Sequence, residues 1–169
     1  VFILARFWPI LAMTEEWFWI IGLAGLLSLC IGAYVATFQQ DLKSVLAYST
    51  ISHLGLITLL LAMNSQMALI AAVFHMINHA AFKASLFMIT GIVDHETGTR
   101  DMHILSGLRK IMPITAGLAI IAAASMAGVP LLNGFISKEM FLAETLELSG
   151  ELNYIVPILA VVASTFSVA

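Results

Sequence analysis

The chain has one cysteine, four prolines and only 10% charged residues among its 169 positions, and each scarcity excludes something. Cys30 lies inside an apolar run with no partner, so neither a disulfide framework nor a thiolate metal site is available, and the redox compartment stays open. Seven basic and ten acidic residues, many of them clustered in short stretches, are too few for the polar surface that a soluble domain of this length requires. A formal charge of -3, with no basic patch beyond Arg109 and Lys110, excludes nucleic acid as a partner. The first residues, VFILARFWPILAM, carry neither a basic leader nor a small-residue cleavage site, and with Val1 in first place the chain is expected to be a piece of something longer.

What fills the sequence is apolar: 61% of it is hydrophobic and the mean hydropathy is +1.02. That composition implies an integral, multi-pass membrane protein, all-α, built as a bundle of transmembrane helices. Apolar stretches predict about five spans, since a bilayer crossing takes roughly 20 residues. They fall near 17–38, 44–63, 67–93, 113–148 and 154–169, in a single membrane domain over 1–169. Trp17, Phe18 and Trp19 open the first and suit a membrane interface. Asn64, Ser65 and Gln66 make a minimal turn, and 94–112 forms the longest polar loop.

Pro113 is well placed to start a helix. The small residues that follow it are those membrane helices use for close packing, which places this segment inside a bundle. Gly128, Pro130 and Gly134 then break the pattern near 128–134. The stretch 113–148 is too long for one straight span but fits two half-helices around an unwound section. A polar loop at 149–153 closes it, and the last span, ending at Ala169, looks truncated. Lys43, Arg100, Arg109 and Lys110 collect at one side against Arg6 at the other, so the first side is expected to be cytoplasmic.

The segment FHMINHAAFKASLF (74–87) sets His75, His79 and Lys83 one helical turn apart on one face of an apolar helix. Ionisable groups in a span cost about 2.5 to 3.5 kcal/mol each on insertion scales and mark pathways for ions and protons. Neighbours at this spacing can pass a proton directly or through one water, with Lys83 holding it and a second charge pushing it on. The structural alternative is that the histidines bond a neighbouring helix and Lys83 snorkels to an interface. By helix rise Lys83 lies about 15 Å deep, which would strain such a snorkel.

Lys138 follows the helix break, where unwound backbone can line a cavity and hydrate a charge. Its structural alternative is a local ion pair with Glu139 or Glu144, and Glu139 could equally tune it. His53 has Tyr48, Ser49, Thr50 and Ser52 close by, giving either a hydrated stripe or hydroxyls that satisfy one another. His95 and His103 sit in the polar loop as solvated residues. A metal at His75 and His79 lacks a third ligand nearby. A haem between His53 and His75 or His79 would meet the cation of Lys83.

Three motifs in order, QQDLKSVLAYSTISHLG (39–55), FHMINHAAFKASLF (74–87) and GVPLLNGFISKE (128–139), resemble the antiporter-type proton-translocating membrane subunits of complex I and of Mrp-type sodium/proton antiporters. The resemblance covers about residues 17–169. HETGTRDMHILSGLRKIMP and GFISKEMFLAE are most similar to the A subunit of Mrp antiporters, where complex I members more often carry Asp at the position of Glu139. The resemblance implies that His75, His79 and Lys83 form a central relay and that Lys138 is the lysine of the broken helix, with Glu139 as its acidic neighbour.

It also implies a larger inverted-repeat transporter fold in a bacterial cell membrane, other membrane subunits as partners, H⁺ and Na⁺ as transported ions, and no cofactor or metal. A membrane subunit of an NADH-quinone oxidoreductase, itself without redox chemistry, or of a related hydrogenase complex remains the alternative, and an inert membrane scaffold a third.

Overall fold

The computed structural model describes residues 1–147 and 155–166. In order, the helices are α1 (Phe2–Leu11), α2 (Glu15–Thr37), α3 (Leu42–Ala62), α4 (Gln66–Thr97), α5 (Leu108–Ile111), α6 (Pro113–Ala127), α7 (Asn133–Leu146) and α8 (Ile155–Phe166). By length and composition α2, α3 and α4 can each cross a membrane. The outer face of α2 exposes Ile20, Leu23, Leu27 and Ile31, an apolar stripe at helical spacing that belongs in lipid or against other membrane helices. The protein is a multi-pass, all-α membrane protein.

Local chemistry sets the helix ends. Asp41 caps α3 by accepting from the Ser44 amide at 2.9 Å, and Ser65 caps α4 by accepting from the Ala68 amide at 3.4 Å. Gly98 closes α4 in the left-handed region with φ 69, so the helix runs further into the polar segment than its hydropathy predicts. At the far end of α3 the indole of Trp17 donates to the Leu61 carbonyl at 2.9 Å and that of Trp8 to Met63 at 3.2 Å. Both satisfy carbonyls that a helix end leaves open. Trp17 is therefore buried against α3, whereas Trp19 is exposed as an interface residue would be.

Other expectations change with packing. The opening residues form α1, a helix that carries Pro9 inside it and is tied to α3 by Trp8. The polar loop contains the single helical turn α5. The predicted discontinuous span consists of the 15 residues of α6 and the 14 of α7, either one shorter than a crossing needs. Within this chain α6 lies at the edge, with Ala122 its one buried residue, because α4 and α7 reach only part of its surface. The polar loop at 149–153, Tyr154 and the final residues 167–169 lie outside the described residues.

Two interfaces position α3. Its contact with α2 is made of backbone: a Cβ on Gly55 would stand 2.4 Å from the Leu29 amide nitrogen, and one on Gly25 2.6 Å from that of Leu59. Small residues permit this approach, as is usual between membrane helices. The core continues through Leu29, Leu56, Leu59 and Leu60 to Ala68, Ala71 and Ala72 of α4 and to Phe141 of α7. On the opposite side α3 meets α4 through polar side chains, and α4 in turn meets α7 through His75.

At the polar end, the Leu42 amide donates to the Arg100 carbonyl at 3.1 Å and the Met102 amide to that of Gln40 at 3.0 Å. Arg100 also pairs with Asp41 at 3.4 Å and Asp94 at 3.7 Å. The loop after α4 is thereby strapped to the turn before α3. The amide of Ser44, with the Arg100 guanidinium adding to it, holds the Asp41 carboxyl below the ordinary 3.8 of an aspartate.

Candidate functional site

Because α3 and α4 run antiparallel through a short turn, one-turn steps along one helix are matched by steps in the opposite direction along the other. Leu46, Ser49 and His53 on α3 therefore face Leu86, Lys83 and His79 on α4. All six are buried. Lys83, 4% exposed, donates to the Ser49 hydroxyl and, at 3.2 Å, to the Leu46 carbonyl. That carbonyl also accepts from the hydroxyls of Ser49 at 3.1 Å and Thr50 at 2.7 Å. Its oxygen gathers several donors, so Lys83 is anchored within the bundle and does not snorkel.

His53 and His75 stack with ring centroids 5.2 Å apart, and His53 Nδ1 lies 3.1 Å from His75 Nε2. The other nitrogen of His75, Nδ1, is hydrogen-bonded to the Ser137 hydroxyl of α7. His79 lies 5.2 Å from His53 by ring centroid, and the ring of Phe82 packs edge-on against both. His75 thus bonds both neighbouring helices, and His53, His75 and Ser137 form a hydrogen-bonded chain through α3, α4 and α7, while His79 Nε2 is buried without a hydrogen-bond partner. His53 and His75 hydrogen-bond one another directly, which leaves no room for a haem between that pair.

The helix break places Lys138. Gly128 ends α6 in the left-handed region with φ 84, and a Cβ there would press to 3.0 Å of the Lys138 Cδ. A Cβ on Gly134 would stand 1.7 Å from the Ser125 carbonyl oxygen. Both glycines let α7 lie against the carbonyl end of α6. Lys138 Nζ donates to the Ala127 carbonyl at 3.0 Å, at the helix end whose dipole favours a cation. Asn78 of α4 reaches the same break, its side-chain amide donating to the Asn133 carbonyl at 3.4 Å.

Of the residues singled out by sequence, His75 reaches α7 through Ser137 and Lys83 reaches α3 through Ser49 and Leu46, with His79 between them on α4, while Lys138 is half-buried one residue beyond Ser137. Glu139 is exposed on α7 and lies apart from that cluster. His95 and His103 are exposed, and His95 faces only Glu96 at 3.3 Å. The site gains three residues: Ser49, His53 and Ser137. The first two carry the four-residue spacing of His79 and Lys83, a signal visible once α3 and α4 are taken as an antiparallel pair. Ser137 offered no such signal, since its contact depends on how α7 re-enters after the break.

Residues 1–167 match the family described as NADH:quinone oxidoreductase/Mrp antiporter, transmembrane region. The chain belongs to this family. It is 64% identical to the A/B subunit of a probable K(+)/H(+) antiporter of Rhizobium meliloti (strain 1021), over 99% of this chain and 17% of that protein. It is 48% identical to the A subunit of the Na(+)/H(+) antiporter of Bacillus subtilis (strain 168), over 88% of this chain and 20% of the relative. Among solved structures, the Mrp complex of Dietzia sp. DQ12-45-1b superposes with a TM-score of 0.94 at 43% identity, covering 99% of this chain and 19% of that one. An archaeal membrane-bound sulfane sulfur reductase superposes with a TM-score of 0.84 at 28% identity, covering 97% of this chain and 35% of that one. The chain therefore spans about a fifth of the length of the curated relatives it matches.

Proposed function

We propose that this chain is part of the A subunit of a multisubunit cation/proton antiporter in a bacterial cell membrane, and that protons move through it along Lys83, His79, His75 and Lys138. The observation that carries this reading is the buried hydrogen-bonded line from α3 through His75 to Ser137, beside the lysine of the helix break. Lys83 stores a proton against the Leu46 carbonyl and Ser49, and the imidazoles, neutral and tautomeric, relay it. Lys138 receives it at the carbonyl end of α6, and Glu139 on the exposed side of α7 stands toward the exit. The end carrying Lys43, Arg100, Arg109 and Lys110 is the cytoplasmic one.

Alternating access in an inverted-repeat transporter needs the other repeat, so exchange belongs to the full-length protein with its partner membrane subunits. Higher identity to the antiporter subunits than to the respiratory sulfur reductase favours antiport over respiration-driven pumping. The relatives' names divide between K⁺ and Na⁺. We assign an alkali cation, with Na⁺ as the expected one. In inside-out vesicles carrying the full-length antiporter, Na⁺ should drive proton movement, and Lys138→Ala should abolish it while the protein remains inserted and assembled. Wild-type exchange in that variant would overturn the relay. Exchange driven by K⁺ alone would reassign the cation.

A further inference from the structure

Between Lys83 and the polar end of the bundle, α3, α4 and α6 do not close completely on one another. They leave a cavity of about 320 Å³ whose wall includes Leu42, Leu46, Leu86, Val93, Met112 and Ala119. Thr90 also lines it, but its hydroxyl is spent on the Leu86 carbonyl at 2.9 Å. An apolar wall of this kind does not hold water, and an empty space forfeits the dispersion contacts of the side chains around it. An apolar occupant is therefore expected.

Size narrows what that occupant is. Along α6 the lining runs from Met112 to Ile120, about 12 Å by helix rise. A further helix about 10 Å across would need roughly 900 Å³ over that length, far more than is there. A slender hydrocarbon chain fits the space where a helix does not.

Charge then selects what the chain carries. The cavity reaches the polar end at Leu42 and Leu108, and the exposed basic residues Lys43, Arg109 and Lys110 directly follow those two in sequence. The acidic groups of that end are engaged elsewhere: Asp41 and Asp94 with Arg100, Glu96 with His95, and Asp101 with the His103 amide at 2.9 Å. Among the described residues, carboxylate partners thus go to Arg100 and His95, and Lys43, Arg109 and Lys110 are left to an anion from outside. Ile111 and Ile114 beside them are 71% and 79% exposed, which suits the boundary between headgroups and acyl chains.

We infer that this cavity is a binding site for one anionic phospholipid, with an acyl chain between α3, α4 and α6 and the phosphate against Lys43, Arg109 and Lys110. Basic residues at the end of a crevice between membrane helices have the chemistry that recognises such headgroups. A zwitterionic headgroup would bring its own cation up to three others, so the site favours a lipid of net negative charge. The inference needs no proton path and would stand if the relay failed.

The full-length antiporter, purified in detergent, is titrated with phosphatidylglycerol and separately with phosphatidylcholine of the same acyl chains, and bound lipids are counted by native mass spectrometry. The unmodified complex should hold phosphatidylglycerol at least tenfold more tightly. Arg109→Gln combined with Lys110→Gln removes charge from the mouth, and Ala119→Phe fills the cavity. Each should lower the number of tightly held phosphatidylglycerols by one per copy of this chain. Equal binding of the two lipids, or an unchanged count in either variant, would overturn the inference, because one lipid needs both the basic residues and the space. Should a variant not assemble, a high-resolution map of the unmodified complex in phosphatidylglycerol nanodiscs decides. Acyl-chain density between α3, α4 and α6 supports the site, and a cavity filled by protein side chains or left empty overturns it.

Discussion

Helix α3 presents two faces that share a backbone and little else. Toward α2 it offers Gly55 and the neighbouring backbone, so closely packed that a single added carbon would strike main-chain atoms. Toward α4 it offers Ser49 and His53, whose partners are Lys83 and His75. The first face is rigid because nothing on it can rotate away. The second is polar and titratable, and its His53–His75 hydrogen bond can run in either direction. For the relay proposed above, the difference teaches how a membrane protein can hold titratable side chains in register: a backbone contact fixes the helix, and the opposite face can then carry them.

The comparison breaks most completely if the rigid face is disturbed. Gly55→Leu forces α2 and α3 apart, where ordinary overpacking already costs about 1 to 3 kcal/mol and backbone collisions cost more. The full-length protein should fail to assemble, seen as loss of the intact complex on size-exclusion chromatography. Normal assembly would show that the seam is softer than its distances imply. His75→Leu should leave assembly intact while lowering cation-driven proton exchange at least tenfold, measured by a pH-sensitive dye in vesicles. A variant that fails to assemble would instead make the polar face structural.

A smaller effect is expected at Ser49→Ala. A hydrogen bond to a charged group contributes roughly 1.5 to 3 kcal/mol, but the Leu46 carbonyl still holds the ammonium of Lys83. Exchange should slow a few-fold, and abolition would make Ser49 indispensable. The smallest change is at the polar end. The carboxyl of Asp41 is held below its ordinary value, so its stabilising contribution is present at neutral pH and lost as pH falls through a value under 3.8. Asp41→Asn should therefore remove part of the acid sensitivity of thermal unfolding below about pH 4. A melting profile superimposable on wild type throughout would remove the carboxylate from the account.

The rigid and the mobile face were not equally legible in the sequence. Three long spans, a helix break near 128–134 and the row His75, His79 and Lys83 follow from hydropathy, glycine and proline placement, and four-residue spacing. Those signals are local. The partners of that row depend on which helix lies opposite and in what register, so His53 was as easily a residue satisfied by its hydroxyl neighbours. Trp17 was an interface aromatic by composition, but the open carbonyl of Leu61 draws it inward. The small residues of α6 indicated a crowded helix, whereas within this chain only Ala122 of it is buried.

The central claim is that the buried ammonium of Lys83 is a stored proton in transit and not a structural pin. It is tested most directly by purifying the full-length antiporter with Lys83→Ala, reconstituting it in liposomes beside the unmodified complex, and following internal pH after a Na⁺ or K⁺ pulse. The account predicts an assembled complex whose proton movement is indistinguishable from that of empty liposomes. Wild-type proton movement from the Lys83→Ala complex would contradict it.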